Sequence, residues 1–178
     1  MKKNAPNPSP DDRRTLWPDG LVPPVVPNHI AVIMDGNGRW AKRQGIRRVK
    51  GHEAGADSIR DILYFCRDAG VKQLTLYAFS TENWKRSDFE VNALFRLLDR
   101  FLRKECDELK ANGVRLTMIG DINGIPEPAK TTLKETMDML AGQTRCTLTL
   151  ALNYGGRQEI ARAAALIARK AVDGTIDC

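Results

Sequence analysis

The 178-residue chain predicts an α/β fold: an open, mainly parallel sheet flanked by helices. Its length is that of one domain. With 42% hydrophobic and 28% charged residues it has the balance of a soluble globular protein, not that of a disordered or fibrous one. From His29 onward, short apolar runs alternate four times with stretches of helical periodicity, which is the signature of parallel strands joined by right-handed helical crossovers.

Seven of the nine prolines fall in the first 27 residues, so 1–27 reads as a disordered, Pro-rich N-terminal arm and 28–178 as a single domain. His29–Met34 is the first strand, stopping at Asp35-Gly36. Residues 53–69 carry Ile59, Ile62, Leu63, Cys66 and Ala69 at helical spacing, with Gly70 as a C-terminal cap. Leu74–Phe79 is the second strand and runs into the polar Ser80-Thr81-Glu82-Asn83. A helix from about Asp88 to Asn112 follows, then a strand at Val114–Ile119 ending in Gly120-Asp121. Pro126 and Pro128 suit the first turn of a helix reaching about Gly142. Cys146–Leu152 is the fourth strand, and a last helix runs from about Arg157 to Asp173-Gly174. Every strand ends in a polar or glycine-containing stretch, and ligands of open α/β sheets bind beyond the carboxyl ends of the strands.

Composition excludes several classes. No apolar run approaches the roughly 18 residues a membrane span needs, and MKKNAPNPSPDD lacks the apolar stretch of a secretory signal. The four cysteines (Cys66, Cys106, Cys146, Cys178) are widely spaced, which argues against a zinc ribbon or a disulfide framework and for reduced thiols in the cytoplasm. A net charge of +6 suggests an anionic ligand without implying nucleic acid.

The chemistry concentrates in Asp35–His52, DGNGRWAKRQGIRRVKGH, where six basic residues accompany a single acid, Asp35. Gly36 and Gly38 let the backbone approach a ligand and turn its N–H groups toward phosphate oxygens, and a following helix N-terminus would add positive potential. The segment is neither a P-loop nor a dinucleotide fingerprint. Asp-Gly and Asn-Gly also mark tight turns, so a turn without ligand is the competing reading. A carboxylate beside a diphosphate is repelled unless a cation bridges the two, and Mg²⁺ is typically held by one or two carboxylates plus phosphate oxygens. These residues therefore point to a diphosphate bound with Mg²⁺ at Asp35.

HIAVIMDGNGRWAKRQG at 29–45, Gly51-His52, YAFSTENWKR at 77–86 and NYGGR at 153–157 together resemble the cis-prenyltransferases, in order and from about Pro27 to Gly174. The all-helical trans-type enzymes carry DDxxD, which is absent here. The resemblance implies condensation of isopentenyl diphosphate onto an allylic diphosphate such as farnesyl diphosphate. The product would be a long cis-polyprenyl diphosphate such as undecaprenyl diphosphate, a lipid carrier for cell-wall synthesis. It implies Asp35 as the catalytic, Mg²⁺-placing carboxylate, and Gly36, Asn37, Gly38 and Arg39 as the cradle of the allylic diphosphate with Trp40 on its wall. Arg48 and His52 become further diphosphate contacts, and Ser80, Thr81, Glu82, Trp84 and Arg86 substrate contacts. Asn83 takes the place of a proton acceptor. An amide is a weak base, so Asn83 instead orients a water or a diphosphate oxygen that takes the proton.

Read without the resemblance, Asn83 and Trp84 are a turn residue and a rim aromatic, and His52 a cap or surface histidine. The 88–112 helix carries more apolar residues than one core-facing stripe needs, from Phe89 and Val91 to Phe101 and Leu102. It reads equally as a tunnel wall for a growing isoprenoid and as a doubly packed core or dimer helix. Ala78 is a candidate for tunnel width. The resemblance also implies a homodimer, contact with the inner face of the membrane for product release, and C-terminal strands with an Arg-x-x-x-Arg-x-Ser segment and a late metal-binding Glu, none of which lies within this chain. A non-catalytic or truncated member binding an allylic diphosphate, or supporting a partner subunit, is the alternative.

Overall fold

A computed structural model of the chain describes residues 26–176, so nearly all of the proline-rich arm (1–25) lies outside the described residues, as does Cys178. Four strands, β1 (His29–Ile33), β2 (Gln73–Ser80), β3 (Val114–Ile119) and β4 (Cys146–Tyr154), form one sheet in the order β1-β2-β4-β3. All three pairings are parallel, with Ile30 opposite Leu74, Leu76 opposite Leu150, and Leu116 opposite Leu148. β4 is buried along most of its length, whereas β2 buries Leu74, Leu76, Phe79 and Ser80 and leaves Thr75 and Tyr77 half-buried.

The helices are α1 (Asn37–Arg43), α2 (Arg48–Ala69), α3 (Asp88–Ala111), α4 (Ala129–Met139) and α5 (Gly156–Val172). Two short 3₁₀ turns, Thr81–Lys85 and Ile122–Gly124, follow β2 and β3. The core joins Leu63 of α2, Leu74, Leu76 and Phe79 of β2, Leu102 and Leu109 of α3, Leu133 of α4, and Leu148 and Leu150 of β4, each at most 3% exposed. The described cysteines Cys66, Cys106 and Cys146 are free and buried, and burial pushes their thiols up. No helix among the described residues is long and apolar enough to cross a membrane.

Two boundaries depart from expectation for one reason. The sequence predicts a helix starting near residue 53; α2 starts at Arg48, and the preceding α1 has no periodicity to announce it. Both depend on two buried glycines of α2. A Cβ on Gly51 would stand 2.2 Å from the Asn37 carbonyl oxygen, and one on Gly55 would stand 2.5 Å from the Asn37 side-chain nitrogen. The glycines that look like helix breakers are where α1 crosses α2 at close range. At the other end, α4 begins just after Pro128 and stops at Met139 rather than near Gly142, while β4 continues to Tyr154.

Candidate functional site

β1 and β2 are parallel neighbours, so their carboxyl ends open on the same side, and a cavity of about 380 Å³ lies there between α2 and α3. Its polar part is lined by Asp35, Asn37, His52, Ser80, Asn83 and Arg86, with Glu82 beside them. Its apolar part is lined by Ile59 of α2, Ala78 of β2, Leu150 of β4, and Leu94, Leu97 and Phe101 of α3. α3 thus serves two surfaces: Leu94, Leu97, Leu98 and Phe101 face the cavity, whereas Val91, Leu102 and Leu109 are buried in the core. Phe89, 69% exposed, faces neither.

Gly36 takes φ +90°, which lets the chain turn from Asp35 directly into α1. The first turn of α1 has no side-chain cap and no acidic residue, so its amide donors are not answered by a local carboxylate. Asp35 stands at this corner, 73% exposed, accepting hydrogen bonds from the Gly36 N–H and, at 2.9 Å, from the Arg39 guanidinium. The Gly36 N–H first, and then the Arg39 charge, hold the Asp35 carboxyl below its usual 3.8. Gly38 lies under Arg48: a Cβ there would stand 2.7 Å from Arg48 Nε. Gly36, Gly38, Arg39, Trp40, Arg48, Thr81 and Trp84 do not line the cavity.

The turn after β2 is tightly specified. Ser80 and Asn83 make a reciprocal capping box, in which the Ser80 N–H donates to Asn83 Oδ1 at 3.0 Å. Asn83 Oδ1 is thereby engaged by the fold, and Asn83 lines the cavity. Trp84 stacks on Phe95, packs edge-on against Phe79, and donates its indole N–H to Asn153 Oδ1 at 2.7 Å. Asn153, with φ +48°, is the penultimate residue of β4 and also donates to the Asp121 carbonyl at 3.1 Å. Trp84 is therefore more than a rim aromatic, because it ties the turn after β2 to the neighbouring strand β4.

His52 is neither a cap nor a surface residue. It lines the cavity, and burial depresses its pKa below the usual 6.5, opposed by its contact with Glu90 at 3.4 Å. Glu90 escapes sequence reasoning. Ser87-x-x-Glu90 spells a helix-start capping box, and Ser87 does accept from the Glu90 N–H at 3.4 Å. The Glu90 carboxylate, however, turns to Arg86 at 2.9 Å, His52 at 3.4 Å and Arg48 at 3.5 Å. The one available sequence signal was the i,i+4 spacing of Arg86 and Glu90.

Among the described residues, no three His, Cys, Asp or Glu side chains cluster as a metal cage. Asp35 offers a single hard, exposed carboxylate beside amide and guanidinium donors. That donor set suits an ion drawing most of its ligands from phosphate and water, as Mg²⁺ does, and not a resident caged ion.

The family model described as "Putative undecaprenyl diphosphate synthase" matches residues 33–177. An isoprenyl transferase of Heliobacterium mobile is 47% identical over 92% of this chain and 68% of its own length. One of Clostridium perfringens is 53% identical over 80% of this chain and 56% of its own. Among solved structures, lavandulyl diphosphate synthase from Lavandula x intermedia, in complex with dimethylallyl diphosphate, aligns with TM-score 0.80 and 33% identity over 84% of this chain and 64% of that one. A probable undecaprenyl diphosphate synthase from Campylobacter jejuni aligns with TM-score 0.65 and 30% identity over 85% of this chain and 64% of that one. The chain thus spans between 56% and 68% of the length of these relatives.

Proposed function

Because the chain belongs to the undecaprenyl diphosphate synthase family of prenyltransferases, we propose that it serves cis-prenyl transfer, binding an allylic diphosphate such as farnesyl diphosphate for condensation with isopentenyl diphosphate. The observation that carries this reading is the division of one cavity into a polar mouth and an apolar depth. An amphiphile with an anionic head and a hydrocarbon tail has the same division, and each methylene removed from water contributes about 0.8 kcal/mol. The lavandulyl enzyme's complex with dimethylallyl diphosphate agrees with it.

In this reading Asp35 would hold Mg²⁺, which would supply charge neutralisation to the diphosphate leaving group. Arg39, Arg48 and Arg86 grip the remaining oxygens, and the uncapped amides of α1 complete the cradle. Ionisation of the allylic C1–O bond releases diphosphate, and C1 bonds to the terminal carbon of isopentenyl diphosphate. A proton then leaves C2, the methylene beside the tertiary carbocation so formed, to a diphosphate oxygen or water. Asn83 orients that acceptor through its amide nitrogen, since its oxygen is already committed to Ser80. The apolar lining excludes water from the growing chain, with Ala78 setting the width at β2. A homodimer, a cytoplasmic location, product release at a membrane surface and an undecaprenyl product belong to the same proposal. Exposed Ile160 and Ile167, seven residues apart on α5, offer apolar surface to a second copy.

Calorimetric titration of the chain with farnesyl diphosphate, with and without Mg²⁺, tests the reading, alongside incorporation of labelled isopentenyl diphosphate. Binding should require Mg²⁺ and fall at least tenfold in Asp35→Ala. Metal-independent binding that survives Asp35→Ala sinks the proposal.

A further inference from the structure

Glu90 is an acidic residue held against the groups of an anion site. It is 9% exposed and sits behind Arg86 and His52, which line the cavity, and beside Arg48, which covers Gly38. Both carboxylate oxygens are engaged: Oε1 faces Arg86 and His52, and Oε2 faces Arg48. A buried carboxylate persists only where cations and hydrogen bonds answer it. Arg48 and His52 come from α2, whereas Arg86 comes from the segment before α3. The chain therefore brings cationic side chains of two elements to one place, where by themselves they would repel one another and turn to solvent.

Building on the diphosphate site proposed above, we propose that Glu90 is a positioning residue. Its carboxylate holds Arg48, His52 and Arg86 in the geometry that receives the diphosphate, and so strengthens anion binding although it carries the same sign of charge as the ligand. Long arginine side chains lose rotamer freedom when they bind, and a fixed carboxylate takes that loss at folding instead of at binding. Net charge alone gives the opposite expectation: neutralising an acid near an anion site should tighten binding.

The two expectations differ in sign, so one titration separates them. The full chain, Glu90→Gln and Glu90→Asp are titrated with farnesyl diphosphate and with inorganic pyrophosphate in the presence of Mg²⁺. Glu90→Gln, which keeps the shape and loses the charge, should bind both probes at least tenfold more weakly. Glu90→Asp, which keeps the charge on a shorter arm, should recover part of that loss. In NMR, the His52 imidazole should titrate at lower pH in Glu90→Gln than in the unaltered chain. A merely structural role would lower the melting temperature of the variants while leaving the affinity of the folded protein unchanged. If Glu90→Gln does not fold, Glu90→Asp decides, since the proposal requires it to bind at least twofold more weakly than the unaltered chain. Equal or tighter binding by the folded variants overturns the role of Glu90 alone. Failure of the unaltered chain to bind either probe overturns the diphosphate site and Glu90's role with it.

Discussion

Replacing Gly51 by alanine should damage the site from behind. Alanine is the better helix former by about 1 kcal/mol, so on an isolated helix the change would stabilise. Here the new methyl would stand 2.2 Å from the Asn37 carbonyl oxygen and 2.9 Å from the Ala41 Cβ. Carbon–oxygen contacts settle near roughly 3.3–3.6 Å, so α1 would have to retreat by about 1 Å. Overpacking of this kind costs about 1–3 kcal/mol, and meeting a backbone carbonyl rather than a flexible side chain places it at the upper end. Set against the helix gain, the net loss is about 2 kcal/mol, or roughly 4–8 °C in melting temperature for a chain of this size. The displaced helix carries Gly36 through Arg39, and a misplacement of about 1 Å in a positioning element can cost on the order of a hundredfold in rate. Thermal melting followed by circular dichroism, with calorimetry against farnesyl diphosphate, reads both effects. Gly38→Ala provides the contrast: its methyl meets the Arg48 guanidinium, which can swing away, so affinity should fall while the melting temperature holds. Gly142→Ala, with nothing within 4 Å, is the control. A Gly51→Ala protein that melts at or above the unaltered temperature with unchanged affinity would refute the close-crossing argument.

Two further outcomes follow from the site. Because burial holds His52 below 6.5 in the folded chain, the unfolded chain takes up the proton first as pH falls; stability is therefore lost from about pH 6.5 downward, and His52→Gln should flatten this part of a melting-temperature profile between pH 7.5 and 5. Trp84→Phe removes the indole donor to Asn153 while keeping a ring against Phe95, at a cost of about 0.5–1.5 kcal/mol; amide exchange should accelerate at 80–86 ahead of the β4 core, and uniform exchange across both would refute the latch.

The alternation of strands and helices is legible because the strands leave short runs rich in apolar and β-branched residues between stretches of helical period, as in Leu74–Phe79 and Cys146–Leu152. α1 was not legible: of its seven residues only Ala41 is buried, too few to set a period. Its helicity comes from docking on Gly51 and Gly55, and those residues in turn disguised the start of α2. Within the candidate site, the corner where Asp35 meets the Gly36 N–H and Arg39 could be read locally because these residues are neighbours in sequence. Arg48 and Arg86 are 38 residues apart, and what joins them could not be read.

The two acids of the site show why one was visible and the other hidden. Asp35 is the lone acid in a basic stretch, it is 73% exposed, and its one guanidinium partner is exposed as well. Exposed ion pairs contribute little, so Arg39 can be exchanged for a cation or turned to a phosphate at small cost. Glu90 lies among Asp88, Ser87 and other residues that merely start a helix, and only tertiary contact adds Arg48 and His52 to its local partner Arg86. Breaking a buried pair by removing one member leaves an uncompensated charge, so Glu90 does not exchange its partners as Asp35 does. In the proposed diphosphate site, one carboxylate is suited to be re-liganded by the ligand, the other to hold still meanwhile. A site that must release its product needs both kinds, since an exposed acid cannot preorganise arginines and a buried one cannot trade ligands.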